Sequence, residues 1–534
     1  MKSVFQSSVT RRARAGILLP CGAVLLCLHA AAMLYGLGFV PTIPVFGDEI
    51  VINDPAIALS RGRGLVAPSF SDSVAGLNKL YAHFPPTFIS MQAVIFRVFG
   101  ISGVSLRLLT TIFSIAAVFV FLAIVYQLCG YGIVSDRTGI LICCLYALSA
   151  PLLILHRIAR MESLIELLSL LSLYCALRAI LDLDGGNRQN KLKRKSHIRL
   201  PLGTATFAGL ALATHPEAIN AVLPGMLFVL FSDRVKTTHK FGVTALFAAI
   251  PAAIWIGTYR SRSWLALTQM AFIAREKAPD PSLPKFGLEL LKNARSSAHD
   301  LMLFLFFGLT LLLMVCVAAQ VIQVSLSRQV MDNPGDKTLR SITVSLAIAI
   351  PLSVLVLGFV LPANITRYEV IYPIYLFLIA LLPPRPPKWI ASRSYVTAAI
   401  SAFIVAQLLA CILYLAEGRN SSEDVHRYDS VLKCIPTSAK IAASPQLWFA
   451  FQMQDRPFSI LYPGLDGFEV SKKASPSPLE HFDVILLTDY IQGDLDRYVA
   501  LGAAGKVEKA VPIGQRVLRV YSVPGTFTRC DDIQ

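Results

Sequence analysis

The sequence predicts a polytopic α-helical membrane protein of about eleven spans over residues 1–416, followed by a small extracytoplasmic α/β domain over residues 417–534. Three observations lead there. Hydrophobic residues make up 55% of the 534-residue chain and charged residues 15%, with a mean hydropathy of +0.60, a balance that soluble chains of this length do not show. Apolar runs follow one another through the first 416 residues, and Lys and Arg gather in alternate connections. From Glu417 the composition turns to mixed polar and apolar segments with strand-like runs.

The formal charge of +16 is compatible with a nucleic-acid partner, but in a chain with this hydropathy it reads as cytoplasmic Lys and Arg, so no nucleic acid is expected. The ten cysteines are too scattered for a disulfide scaffold, and Cys21, Cys27, Cys143, Cys144, Cys175, Cys316 and Cys411 sit inside apolar runs as small hydrophobes. No internal repeat or low-complexity tract is visible.

In chain order, the first run, Gly16 to Val40, follows Lys2, Arg11, Arg12 and Arg14 and reads as a retained anchor rather than a cleaved signal. A long first outside loop, 41–103, comes next. Further runs lie near 104–128, 137–155, 163–181, 200–214, 218–232, 241–258, 299–325, 341–361, 367–382 and 394–416. The connections with Arg188 to Arg199, Arg234-Lys236-Lys240, Arg328-Lys337-Arg340 and Arg385-Lys388-Arg393 are basic and fall on the cytoplasmic side for a cytoplasmic amino terminus. The same count places the Asp48 loop, the His156–Glu162 turn, the His215–Glu217 turn, the Asn364–Arg367 turn and the tail outside.

One outside stretch departs from that bias. Between Tyr259 and Asp300 it carries the seven basic residues Arg260, Arg262, Arg275, Lys277, Lys285, Lys292 and Arg295. Two readings stand: the cations face a phosphate, or an amphipathic helix lies on anionic membrane lipids.

In the tail, Lys440–Ala443, Phe458–Leu461, Phe482–Leu487 and Val517–Tyr521 read as strands, with a helix-like segment from Leu495. Cys434 and Cys530 are the tail's only cysteines; they pair in an oxidising compartment or remain unrelated thiols.

The chemistry-bearing residues gather on the outside face. Gly47-Asp48-Glu49 opens the first outside loop, followed by Tyr81 through Pro86, Phe99-Gly100 and Arg107-Leu108. Arg160-Met161-Glu162 begins the fourth span, and Arg367-Tyr368 precedes Pro373. In this order the features resemble the integral-membrane glycosyltransferases of the GT-C fold, notably bacterial relatives of the protein O-mannosyltransferases and the lipid A aminoarabinose transferase. The resemblance spans about residues 1–416, the transmembrane catalytic domain.

It implies inverting transfer of a sugar from a polyprenyl-phosphate-linked donor to a hydroxyl on a glycan, lipid or protein acceptor, at the outer face of a bacterial inner (plasma) membrane. The residues fit that reaction on their own terms. An alcohol attacks well once a base takes its proton, and Asp48 is the expected base with Glu49 beside it. The leaving lipid phosphate gains charge and needs cations; Lys79, His83, Arg275 and Lys277 are available. Glu162 suits a sugar hydroxyl or the acceptor, although the family frequently has an aspartate there; the alternative is an interfacial ion pair with Arg157 or a neighbouring loop. Glu166, one helical turn deeper on the same face, is expensive there unless it faces a wet cavity. His215 and Arg367 are expected at substrate, or as a helix-start residue and a headgroup anchor respectively.

Zinc-type His and Cys spacing is absent, so no cofactor is expected and a divalent cation finds no support. A transporter would carry ionisable groups at the midplane and repeat symmetry. A membrane glycan polymerase or ligase using a lipid-linked glycan is the nearer alternative, and the early Asp-Glu pair favours the transferase.

Overall fold

A computed structural model describes residues 8–37, 47–70, 77–184, 191–232, 235–277, parts of 402–416, and 425–461, 481–488, 506–513 and 516–526. The first apolar run forms α1 (Ser8–Leu34). The stretch read as a long outside loop is substantially helical: α2 (Gly47–Ser60) and α3 (Pro86–Phe99) flank a 3₁₀ turn at Pro68–Phe70. Its apolar residues explain why. Ile50, Ile52, Ala56 and Ile57 of α2 and Phe88, Ile89 and Phe96 of α3 are all buried in one core, which a solvated loop would leave exposed. Gly62 and Gly64 end the α2 unit with φ of 75° and 84°, values at which a side chain would be strained.

α4 (Gly103–Gly130) starts at a capping box in which the Ser102 hydroxyl accepts from the Ser105 N–H and the Ser105 hydroxyl accepts from the Ser102 N–H. The run read as one span over 137–155 is divided into α5 (Asp136–Ala147) and α6 (Ala150–His156). Pro151 in the first turn of α6 has no N–H to continue the α5 ladder, so the chain restarts there. α7 (Glu162–Asp184), α8 (Lys191–Thr214), α9 (Ile219–Phe231) and α10 (Thr237–Tyr259) match their apolar runs, with α8 extending back into its basic connection. The basic stretch after Tyr259, read as a loop, continues as a 3₁₀ turn at Arg260–Arg262 and α11 (Ser263–Lys277).

Among the described residues, the stretches Gly103–Gly130, Glu162–Leu181 and Thr237–Met270 are long and apolar enough to cross a membrane. The runs expected at 299–325, 341–361 and 367–382 lie outside the described residues, and the run at 394–416 is described in part. Helices here approach closely through small residues, as membrane helices do. A Cβ added at Gly139 of α5 would stand 2.7 Å from Cys129 Sγ and 3.1 Å from Val125 Cγ1 of α4.

The tail forms a five-stranded sheet with α12 (Val425–Lys433) and α13 (Trp448–Met453). Strands β1 (Ile441–Ala443), β2 (Ser459–Ile460), β3 (Val484–Thr488), β4 (Val507–Ile513) and β5 (Arg516–Ser522) lie in the order β2-β1-β3-β5-β4. β1 is parallel to β2 and β3, while β5 is antiparallel to β3 and β4. The sequence reading found four of these strands and missed β4, whose Glu508, Lys509 and Pro512 dilute its alternation. The helix expected from Leu495 lies outside the described residues. Cys434 is disulfide-bonded, and Cys530, its expected partner, lies outside them too.

The sheet domain docks on α2 around one buried acid. Asp54, with 0% of its surface exposed, accepts hydrogen bonds from the Ser69 N–H (3.1 Å), the Ser69 hydroxyl (2.6 Å), Trp448 Nε1 (3.0 Å) and Gln452 Nε2 (2.8 Å). At the rim, Arg61 donates to the Gln452 side chain at 2.9 Å and to its carbonyl, and Arg61 and Arg63 pair with Asp455 at 2.9 and 2.8 Å. Burial pushes the Asp54 carboxyl above its usual range, opposed by its bonds to Ser69 and Trp448 and by the charge of Arg61.

Two outcomes are expected. Gly139→Ala forces α4 and α5 apart at a cost of about 1–3 kcal/mol; a melting temperature in detergent equal to wild type would show that the helices repack freely. For Asp54, a value raised on folding means that the folded chain holds the proton more tightly. Its stabilising contribution is fully present below the unfolded value of 3.8 and is lost as pH rises through the folded value. The melting temperature of wild type relative to Asp54→Asn is therefore expected to fall as pH rises from about 4 towards neutral, and a constant difference would contradict the shift.

Candidate active site

α2 is fixed to the turn before α7 by two side chains one helical turn apart on the same face. Glu49 Oε1 accepts from the Ala159 N–H at 2.9 Å, and Asn53 Nδ2 donates to the Ala159 carbonyl at 2.8 Å and to the Glu49 carbonyl at 2.7 Å. Both hydrogen-bonding groups of one residue's backbone are thereby taken up by one helix face. Glu49 is 3% exposed and stands 3.6 Å from Arg107 Nη2, while Arg107 Nε donates to the Arg157 carbonyl at 2.9 Å. Arg157 in turn donates to the carbonyls of Ala32, Tyr35 and Gly36 at 2.7 to 3.1 Å, closing the C-terminal end of α1 as a cation there should. α1, α2, α4 and the 157–160 turn thus form one polar knot.

Asp48 sits in the first turn of α2, beside Glu49 in the chain. Glu162 begins α7 and pairs with Arg160 Nη2 at 2.5 Å, the side chains 15% and 13% exposed. The partner is therefore Arg160 rather than Arg157, because Arg157 is committed to the end of α1. The acids at 48, 49 and 162 are gathered on two elements that the Ala159 clamp holds together.

A second group surrounds the segment at 79–84. Gln269 of α11 brackets it, donating to the Leu80 carbonyl at 2.8 Å and accepting from the Ala82 N–H at 2.9 Å. Arg262 donates to the Lys79 carbonyl, and Tyr259 OH to the Tyr81 carbonyl at 3.3 Å. Lys79 is exposed and His83 half-buried, its ring edge-on to Phe84 with centroids 4.7 Å apart. Phe84 lies 5.7 Å from the His215 ring, and Thr87 donates to the Ala213 carbonyl at 2.7 Å. His83 and His215, far apart in sequence, therefore meet around one aromatic ring. Arg275 and Lys277 follow Gln269 along α11 by about two turns, on the helix that carries this segment. Arg367 lies outside the described residues.

Below the turn, a chain of buried polar groups crosses five helices. His29 of α1 lies 2.8 Å from both the Ala147 carbonyl of α5 and Ser114 Oγ of α4. Ser114 Oγ lies 2.8 Å from His156 Nδ1 of α6, and His156 Nε2 lies 2.8 Å from Glu166 Oε2 of α7. Tyr146 OH of α5 donates to the other Glu166 oxygen. Direct partners rather than a wet cavity answer the cost of an acid at that depth.

Sequence reading missed Asn53, Asp54 and Ala159. A signal existed, since Glu49 and Asn53 are four residues apart within an apolar stretch, but it is visible only once 47–60 is taken as a helix. Among the described residues, no group of three His, Cys, Asp or Glu side chains is placed to hold a metal ion.

No family model matches the sequence, and no curated protein matches it. Solved structures do match, across nearly the whole chain. ArnT from Cupriavidus metallidurans bound to undecaprenyl phosphate is 10% identical with a TM-score of 0.61, covering 96% of this chain and 99% of that one. The Archaeoglobus fulgidus oligosaccharyltransferase matches at 10% identity in two forms. Tethered with an acceptor peptide it has a TM-score of 0.54 over 97% of this chain and 75% of that one; the apo form has 0.52 over 95% and 74%. At this level of identity the likeness speaks for architecture, and the architecture is the GT-C fold of integral-membrane glycosyltransferases.

Proposed function

We propose that this chain transfers a sugar from a polyprenyl-phosphate-linked donor to a hydroxyl acceptor at the extracytoplasmic face of a bacterial inner membrane, with inversion at the anomeric carbon. The observation that supports the reading is the Ala159 clamp, by which Glu49 and Asn53 hold the start of α2 to the turn that carries Arg160 and Glu162. Asp48 is assigned as the base. The acceptor oxygen bonds to the anomeric carbon, the carbon–oxygen bond to the lipid phosphate breaks, and the acceptor proton passes to Asp48. Glu49, held by Ala159 and Arg107, positions rather than reacts.

The lipid phosphate leaves with increased negative charge, which fixed cations stabilise without reorganising. Lys79 and His83, on the 79–84 segment, and Arg275 and Lys277, further along the helix α11 that brackets it through Gln269, are assigned to it. Glu162 and His215 are assigned to sugar or acceptor hydroxyls, and Arg367 to substrate charge. The reaction as written needs no metal ion. ArnT, bound to undecaprenyl phosphate, and the oligosaccharyltransferase, tethered with an acceptor peptide, lend support.

Asp48→Asn is expected to lower transfer by about 10²–10⁴-fold while the protein still inserts, folds and binds undecaprenyl phosphate. Comparison of cell-envelope glycans and glycoproteins by mass analysis, with the gene deleted, restored or carrying the substitution, reads the outcome; wild-type product from Asp48→Asn would end the assignment. Glu49→Gln is expected to keep more activity and to lose about 1–3 kcal/mol of stability, since Arg107 loses its buried counter-charge. For orientation, reporters fused after Ser196 and Arg385 are expected to read cytoplasm and one after Asn420 the outside. A cytoplasmic signal at Asn420 would put the acids on the wrong face.

A further inference from the structure

α2 is held at two places. The Ala159 clamp fixes its first two turns to the membrane half, and Asp54, the residue after Asn53 and about 7.5 Å beyond Glu49 along the axis, fixes it to the sheet domain. The second contact is built from buried polar groups throughout. Asp54 is fully buried, Trp448 and Gln452 are 2% and 6% exposed, and Ser69 is 3% exposed. Trp448 and Gln452 stand four residues apart on one face of α13, and both donate to Asp54 Oδ1. Gln452 also donates to the Ser69 hydroxyl at 3.1 Å and receives Arg61, so the same side chain ties the middle of α2, the end of α2 and the 3₁₀ turn. Apolar packing is continuous across the junction, since Ile50, Ile57 and Phe70 share one core with Leu432, Leu447, Trp448 and Phe451.

A carboxylate without solvent depends wholly on its donors. Half of the hydrogen bonds to Asp54 come from the sheet domain, so unseating that domain removes them and loosens α2 beyond what the Ala159 clamp holds. The geometry points to the C-terminal domain as a working part of the active site: through Asp54, Trp448 and Gln452 act as positioning residues for the α2 acid that carries the transfer. This rests on the reading of Asp48 as the base.

The test uses the full-length protein in lipid nanodiscs, with Trp448→Phe as the main variant because it keeps an aromatic ring and removes the N–H. Asp54→Asn serves as the second variant. Hydrogen exchange of the α2 amides is read against those of α4 and α7, binding is read with undecaprenyl phosphate, and product is read from cell envelopes at matched amounts of folded enzyme. The expected result for both variants is exchange in α2 about tenfold faster or more, unchanged exchange in α4 and α7, unchanged affinity for undecaprenyl phosphate, and product reduced by about tenfold or more. Unchanged α2 exchange in both variants overturns the proposal, as does loosened α2 with wild-type product when Asp48→Asn abolishes product. Wild-type product from Asp48→Asn together with loosened α2 overturns the positioning role through failure of the base assignment, and leaves the physical link between domain and helix demonstrated.

Discussion

The N–H and carbonyl of Ala159 must find partners in a place water does not reach, and α2 supplies both. Glu49 takes the N–H and Asn53 the carbonyl, so a helix outside the apolar runs is bound to the start of α7 by satisfied backbone groups rather than by apolar area alone. Much else depends on this contact. Glu49 can be buried because Arg107 stands beside it, and Arg107 is held by the carbonyl of Arg157. Arg157 presents that carbonyl while its own guanidinium closes the end of α1. Loss of any member leaves a buried polar group exposed to nothing, which is why these residues act as a unit.

The same rule explains the interior of the helical bundle. Glu166 lies in a span, where an unpartnered carboxylate would be prohibitive, and His156 and Tyr146 meet it. The chain continues through Ser114 to His29, joining α6, α4 and α1. His156 ends α6 immediately before the turn that carries Arg157 and Ala159, so the network fixes that turn from below while Glu49 and Asn53 fix it from above. Small residues such as Gly139 allow the close helix approach that these short bonds require.

Asp54 extends the rule to the C-terminal sheet. Its burial would be unfavourable in a domain that moved independently, yet donors from both parts of the chain converge on it. The C-terminal sheet is therefore continuous with the described helices in packing and in hydrogen bonding.

The sequence by itself determined that the chain is a helical membrane protein, where most of its described helices lie, and that a strand-rich tail follows, and it singled out Asp48, Glu49, Glu162, His83 and His215 as polar residues between apolar runs. Hydropathy and period determine such features locally, because a run's length and the spacing of its apolar residues state which solvent it prefers. Tertiary structure alone decided which polar residues meet. Glu49 and Asp48 are adjacent and chemically alike in the sequence, and only the approach of Ala159 and Arg107 shows that Glu49 is anchored. Asn53 and Asp54 looked like ordinary polar residues of a loop until burial made their partners obligatory. His83 and His215 became neighbours through Phe84, and the basic stretch after Tyr259 became a helix bracketing Lys79 to Ala82. Residue type sets what a group can do, but the cost of burying it falls due only where the folded chain puts it, and that cost selects its partner.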